Sequence, residues 1–206
     1  MKITSIEHQK KDGRFNIFID GEFAFGLYRE TVYNFGLRVN DELTQEEIDR
    51  MRTEDELNFG KKVAFRYLNY KPRSEKEVRT KLHQKKISEK TIDEIITVLK
   101  DLKFIDDANY AKMYVESKVT LKPEGRRVLK MKLAGKGIEK ELSLKTVEEN
   151  YTEETEIRKA KDLINKYSKR VKAKNPADKK QKIYRHLLSK GFSFDVISRV
   201  LKIEED

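Results

Sequence analysis

The sequence predicts a mainly α protein, a tandem array of three three-helix repeats behind a small β-rich N-terminal extension. Three observations carry that reading. A pattern of Pro, Leu, Lys, a small residue and an apolar residue recurs three times. Its copies are Pro72, Leu82, Lys85, Lys86, Ile87; Pro123, Leu133, Lys136, Gly137, Ile138; and Pro176, Leu187, Lys190, Gly191, Phe192. The Leu positions lie 51 and then 54 residues apart, and an apolar residue stands four before each: Val78, Leu129, Ile183. A helical unit used three times marks an array, and in an array function tends to lie on the face that successive units share. The second observation is an Asp-Gly pair between alternating apolar residues near the N-terminus, the mark of a hairpin. The third is composition: 40% of the 206 residues are charged, 37% are hydrophobic and none is Trp. So thin a core suits small units that stack, and the helical spacing of the apolar residues argues against disorder.

In chain order, Ile3–Gln9 reads as a strand turned by Asp12-Gly13 into a second strand over Arg14–Ile19. Ile17 and Ile19, then Phe23 and Phe25, alternate on either side of Asp20-Gly21, whose Gly tolerates the positive φ of a tight turn. A short helix follows over Tyr28–Phe35, ended by Gly36, and Thr44-Gln45-Glu46-Glu47 is a capping box that starts another helix through Met51. The acidic Glu54-Asp55-Glu56 then leads into the first repeat. The domains expected are an extension over residues 1–58 and repeats over 59–106, 107–151 and 152–206, with the repeats folding independently of the extension. Within each repeat the first helix carries Ala64 with Tyr67, Ala111 with Tyr114, or Ala160 with Leu163 on one face. Ser74 to Glu77 is a second capping box, and Asn175-Pro176 places Pro at the first helical position, where its missing N–H costs nothing. The second helices end near Lys86, Gly137 and Gly191; the two Gly suit a left-handed C-cap, and Lys86 makes the same turn without one. Third helices are marked by Ile92, Ile95, Ile96, Leu99; by Leu142, Leu144, Val147; and by Val196, Ile197, Val200, Leu201. Asp106-Asp107 and Thr152 are the expected caps of the second and third repeats' first helices. The stretch Lys169–Lys182 reads as a basic link between helices.

The absence of Cys rules out disulfides and Cys zinc sites and fits a reducing cytosol. No apolar run approaches the roughly 20 residues of a membrane span, and the N-terminus lacks a signal-peptide hydrophobic region. A soluble, cytoplasmic protein is expected. The net charge is +10, unevenly spread: residues 1–58 hold 8 Lys and Arg against 13 Asp and Glu, and residues 59–206 hold 38 against 23. All the excess positive charge lies in the repeats, so a densely negative partner such as nucleic acid is the first expectation, set against a merely solvated Lys-rich surface.

The basic clusters attach to the second helices. The residues singled out for partner or DNA binding are Arg73, Arg79 and Lys81; Lys122, Arg126, Arg127, Lys130, Lys132 and Lys136; and Lys182 and Arg185. Arg126 and Lys130 stand at i, i+4 on the face expected to lie opposite Leu129 and Leu133. Like charges at that spacing disfavour a lone helix, which points to a polyanionic partner. The competing reading is a solvated face relieved by Glu77 and Glu124. Tyr184 replaces Arg79 and Lys130 at the same place in the third repeat, while the other aromatics fall on Ala/Leu faces as core. No enzyme site is expected: His8, His83 and His186 lack ligand spacing, Asp106-Asp107 serve as caps, and no phosphate-binding Gly loop exists. Neither a cofactor nor a metal is called for.

The residues from Lys71 through Pro72, Ser74, Glu75 and Val78 to Leu82 resemble the first-repeat signature of the RecX regulatory proteins. Phe104-Ile105-Asp106-Asp107-Ala108-Asn109-Tyr110-Ala111, with Lys122 to Arg127 and Lys136-Gly137-Ile138, is similar to the second. The resemblance spans about residues 59–201 and is looser in the third repeat; the N-terminal segment is similar to an extension seen in part of that family. It implies a non-enzymatic regulator that binds the RecA filament and depresses strand exchange, ATP turnover and SOS co-protease activity; from the charge of the repeats, weak electrostatic contact with single-stranded DNA is expected, and the protein is expected to be a monomer. The alternatives from the residues are a stand-alone helical-repeat nucleic-acid-binding protein and a structural adaptor whose charge serves solubility.

Overall fold

The computed structural model describes residues 1–10 and 13–203. The expected Asp12 turn therefore lies partly outside the described residues, while Gly13 has φ +59°. Two compact units emerge: Met1–Lys71 with Val78–Phe104, and Pro72–Glu77 with the described chain from Ile105.

The first unit begins with an antiparallel sheet in the order β1 (Ile3–His8), β2 (Arg14–Ile19), β3 (Glu22–Tyr28). Asp20 and Gly21 both have positive φ, at 51° and 89°, the signature of a two-residue hairpin turn that matches strand twist. Ile3, Phe15, Ile17, Phe25 and Leu27 are buried together with Val32, Ile48 and Met51. The expected alternation fails at Phe23, which is 58% exposed. A bulge explains it: Ile17 pairs with Phe25 but Phe18 pairs with Phe23, so the register slips by one residue and turns Phe23 outward.

Helix α1 (Arg29–Asn34) ends before Gly36 at φ +63°, as expected. The Thr44 capping box is present in both halves, but the helix it starts does not stop at Met51. Helix α2 runs unbroken over Gln45–Tyr70 and serves both the sheet and the first repeat. The acidic triplet is thus no linker, and a cut after residue 58 falls mid-helix. Asp55 is buried and accepts hydrogen bonds from the Tyr28 N–H (2.7 Å) and the Thr31 hydroxyl (2.6 Å) at the start of α1. Its neighbour Glu56 points the other way and accepts from the Ser88 N–H (3.0 Å) and the Ser88 and Thr91 hydroxyls (both 2.6 Å) at the start of α4 (Glu89–Asp101). Burial alone would raise the Glu56 carboxyl; these hydrogen bonds outweigh it and hold it below its ordinary value. At Gly60 the Ile95 side chain sits where a Cβ would be, so α4 rests directly on the α2 backbone.

The remaining helices are α3 (Glu75–His83), α5 (Asp107–Leu121), α6 (Arg126–Gly135), α7 (Lys140–Asn150), α8 (Glu153–Ser168), α9 (Pro176–Ser189) and α10 (Phe194–Ile203). The three-helix repeats are therefore the second half of α2 with α3 and α4, then α5 to α7, then α8 to α10. Every core position of the repeated pattern is buried: Ala64, Ala111, Ala160; Val78, Leu129, Ile183; Leu82, Leu133, Leu187; Ile87, Ile138, Phe192. The three C-terminal turns are also alike. Lys86, Gly137 and Gly191 have φ of 60°, 84° and 85°, and the N–H of the next residue donates to the repeated Leu carbonyl at 3.1–3.3 Å. The caps Ser74, Asp106, Thr152 and Asn175 hold as the sequence predicts. Asp107 does not cap its own helix. Its carboxylate reaches back to the Glu75 N–H at 2.9 Å, the first donor of α3.

Candidate functional site

The cations that the sequence singles out lie on or beside the second helices α3, α6 and α9, and their surroundings differ. In the second unit, each of α3 and α6 starts against the repeat that follows. The Glu75 N–H donates to Asp107 of α5, the Ser74 hydroxyl donates to the Lys136 carbonyl at 2.7 Å, and a Cβ on Gly137 would strike the Lys76 side chain. One repeat later the Arg126 N–H donates to Glu156 of α8 (2.9 Å), and the Gly125 N–H donates to the Lys190 carbonyl (2.9 Å). A Cβ on Gly191 would lie 2.7 Å from the Val128 nitrogen, and one on Gly125 would overlap the Gly191 backbone. The device is the same in both joints. A carboxylate of the next unit's first helix caps the second helix of the unit before, and a glycine turn lets the two backbones meet. Among the described residues no three-helix unit precedes the first, and Lys86 makes the matching turn at φ 60° without glycine.

Arg126 belongs to this joint. Its Nε lies 3.2 Å from Glu156 Oε2, and its Nε and Nη2 donate to the Tyr151 carbonyl at 3.0 and 2.7 Å. Glu156 is only 3% exposed, and burial raises its carboxyl despite the hydrogen bond and charge of Arg126. In the preceding joint Lys136 Nζ lies 2.6 Å from Glu77. Burial would raise Glu77, but Lys136 and the Ser74 N–H prevail and lower it. Burial, and then the Glu77 charge, push the Tyr110 phenol up.

The other singled-out cations follow the same course. Arg73 lies 3.8 Å from Glu77, Arg79 lies 2.7 Å from Asp93, Lys130 lies 3.5 Å from Glu148, Lys132 lies 2.5 Å from Glu124, and Lys182 lies 2.9 Å from Asp178. Seven of the eleven therefore face a carboxylate of the fold. Lys81 sits 5.7 Å from the Tyr67 ring centroid, and Arg185 approaches Gln181 at 3.5 Å. Lys122 and Arg127 are exposed, with no side-chain partner among the described residues. A groove of about 540 Å³ beside the second joint is of mixed charge, with Glu153, Glu156 and Asp195 among Arg126, Arg127, Lys130 and Arg199. Tyr184, expected outside, packs half-buried against the core of the third repeat.

The third repeat differs. Between α8 and α9 the chain forms an ordered corner: the Arg170 and Val171 N–H groups donate to the Tyr167 carbonyl, Lys182 Nζ to the Lys172 carbonyl, and the Lys174 N–H to Asp178. Tyr167 stacks on His186 of α9, with ring centroids 4.0 Å apart and planes within 5°. Burial, and then Lys190, hold the His186 imidazole below its ordinary value, which favours the neutral ring. Most cations of this corner fall outside the singled-out set because the third-repeat signature is loose, although their density is visible in the sequence.

Among the described residues, no group of three His, Cys, Asp or Glu could hold a metal ion, and no helix is long and apolar enough to cross a membrane. The fold defines a tandem three-helix repeat protein in which carboxylates of α5 and α8 cap the starts of α3 and α6. Family models for the RecX N-terminal domain and the first, second and third RecX three-helix domains match residues 1–44, 61–99, 106–143 and 154–201. A regulatory protein RecX of Leuconostoc mesenteroides is 37% identical over 209 residues, covering 100% of this chain and 78% of that protein. One of Clostridium beijerinckii is also 37% identical, covering 98% of this chain and 94% of that protein. A crystal structure of a regulatory protein RecX superposes with a TM-score of 0.72 at 29% identity, over 97% of this chain and 98% of that one. The RecX of Lactobacillus salivarius superposes at 0.67 and 35% identity, over 72% and 96%. The chain belongs to the RecX family of regulatory proteins.

Proposed function

We propose that this protein regulates a RecA recombinase by binding the RecA nucleoprotein filament. It inhibits recombinase, ATPase and SOS co-protease activity and so modulates DNA repair. It does so without catalysis, as a cytoplasmic monomer, with weak electrostatic contact to single-stranded DNA. The observation that carries this reading is the match to all four RecX domains in order along the chain. Three units in one chain supply several weak contacts that reinforce one another through effective concentration. Binding lies along the filament groove, and slowed growth is its consequence.

The test is ATP hydrolysis by RecA on single-stranded DNA with this protein added well below one molecule per RecA protomer. Inhibition is expected, and unchanged turnover refutes the reading. Labelled protein on filaments frozen with a non-hydrolysable nucleotide locates the contact. Signal along the length supports groove binding, signal only at ends replaces it with end capping, and no signal removes the RecA assignment.

A further inference from the structure

The positive charge that remains available is concentrated away from the helix where the sequence pattern places it. From residue 163 to residue 190 there are ten Lys and Arg against one acid, Asp178. That one acid lies against Lys182, which also donates to the Lys172 carbonyl and so holds the corner closed. Lys166, Lys169, Arg170, Lys172, Lys174 and Lys179 are exposed, and none has an ion-pair partner among the described residues. The contrast with α6 has a physical origin. On α6 Lys130 and Lys132 face Glu148 and Glu124 of their own repeat and Arg126 faces Glu156 of the next, whereas α9 has Asp178 alone near its start and is capped by Asn175, whose side chain accepts from the Asp178 N–H at 2.8 Å. No later helical unit among the described residues brings acids to the corner.

We propose that this α8–α9 corner is a binding surface for the phosphate backbone of single-stranded DNA. The inference rests on, and deepens, the reading of the chain as a nucleoprotein-filament regulator. The ligand class follows from the chemistry. The exposed cations of the corner are Lys and Arg, and the one acid beside them, Asp178, is already engaged by Lys182 and the Lys174 N–H. A row of such cations suits a flexible strand that brings one phosphate to each and exchanges its counterions for them. The stacked Tyr167–His186 pair acts as a brace that ties α8 to α9 beneath the loop. Arg126, Lys130, Lys132 and Lys136 take no part, because their carboxylate partners already neutralise them.

The test is fluorescence anisotropy of a labelled oligothymidylate with the full chain, titrated across a salt series. The variant combines Lys169→Gln, Arg170→Gln, Lys172→Gln and Lys174→Gln, which remove charge and leave the backbone hydrogen bonds of the corner in place. The comparison variant is Lys122→Gln with Arg127→Gln on the second repeat. The corner variant is expected to bind at least about tenfold more weakly at low salt. Its log–log salt slope should shrink by up to about 2.8, at roughly 0.7 for each phosphate that is no longer neutralised. The comparison variant is expected to change little. An unaltered slope in the corner variant, or the larger weakening in the comparison variant, overturns the proposal. A duplex of the same length that binds more tightly than the strand overturns the choice of ligand. No recombinase is present in this assay, so it separates from the RecA reading. Inhibition of RecA by a parent whose DNA binding ignores the corner leaves that reading standing without this site. Corner-dependent DNA binding without any effect on RecA does the reverse.

Discussion

Helices α6 and α9 occupy the same place in successive repeats, and both are rich in Lys and Arg, yet their charges meet different fates. On α6 the cations are drawn into the fold. Arg126 is locked to Glu156 and the Tyr151 carbonyl, Lys130 faces Glu148, and Lys132 faces Glu124. On α9 and the loop before it, Lys182 alone lies against an acid of the described residues, apart from Lys180, which has interactions of its own. Charge density along a chain therefore does not measure charge available to a partner. On α6 one cation is paired across the joint and two within the repeat, whereas most cations before and along α9 have no acid partner among the described residues.

Reversing charge at the two helices breaks the comparison most sharply. Arg126→Glu sets a second carboxylate against buried Glu156 and should cost about 3–5 kcal/mol in urea unfolding. The exposed Arg185→Glu on α9 should stay within about 0.5 kcal/mol. Equal costs would mean that the Arg126 joint does not hold the second and third repeats.

The turns come next. Gly191→Ala meets both a positive φ and the Val128 backbone, so its melting curve should show a destabilisation beyond the roughly 1–2 kcal/mol of a left-handed residue alone. Lys86→Gly makes the opposite change in an otherwise matching turn and should gain up to about 1 kcal/mol. A gain from both substitutions would sink the account of why only the inner turns are glycine.

A smaller effect tests the self-sufficient start of α9. Asn175→Ala should cost about 1 kcal/mol by thermal melting. Helix α6 has only Gly125 at that position and takes its cap from Glu156. Its start should therefore respond to Glu156→Gln, measured by amide exchange at Arg126, while the α9 start does not.

The smallest effect is with pH, and the two joints should respond with opposite sign. The Glu156 carboxyl is raised in the fold, so the folded protein binds that proton more tightly than the unfolded chain. Stability from this group improves as pH falls through the raised value toward the ordinary one. The Glu77 carboxyl is lowered, so its contribution is intact above the ordinary carboxylate range and is lost as pH falls through the lowered value. Acid titrations of Glu156→Gln and Glu77→Gln by denaturant unfolding should each remove one limb of that response. Superimposable profiles would contradict it.

What is legible in the sequence is what local chemistry encodes. The Pro and cap residues start helices, the recurring Leu and Ala mark the inner face, and a small residue before an apolar one ends the second helix, so three repeats can be read residue by residue. Asp20-Gly21 names its own turn. What is not legible depends on partners far along the chain. Glu156 lies 30 residues from Arg126, and Glu77 lies 59 from Lys136, beyond any i, i+4 rule. The bulge that turns Phe23 outward also belongs to pairing and not to pattern. Glu54-Asp55-Glu56 reads as a boundary because acids usually face water, and nothing local shows that two of them grip different neighbours.

That grip reaches into how the chain comes apart. Asp55 and Glu56 are consecutive, and α2 passes through both without a break, so the sheet and the first repeat share one rod. Unwinding near residue 55 unties Tyr28 and Thr31 on one side and Ser88 and Thr91 on the other in the same event. The amide protons of Tyr28 and Ser88 should therefore exchange through one shared opening, and protease access at this point should report on both ends of the first unit at once.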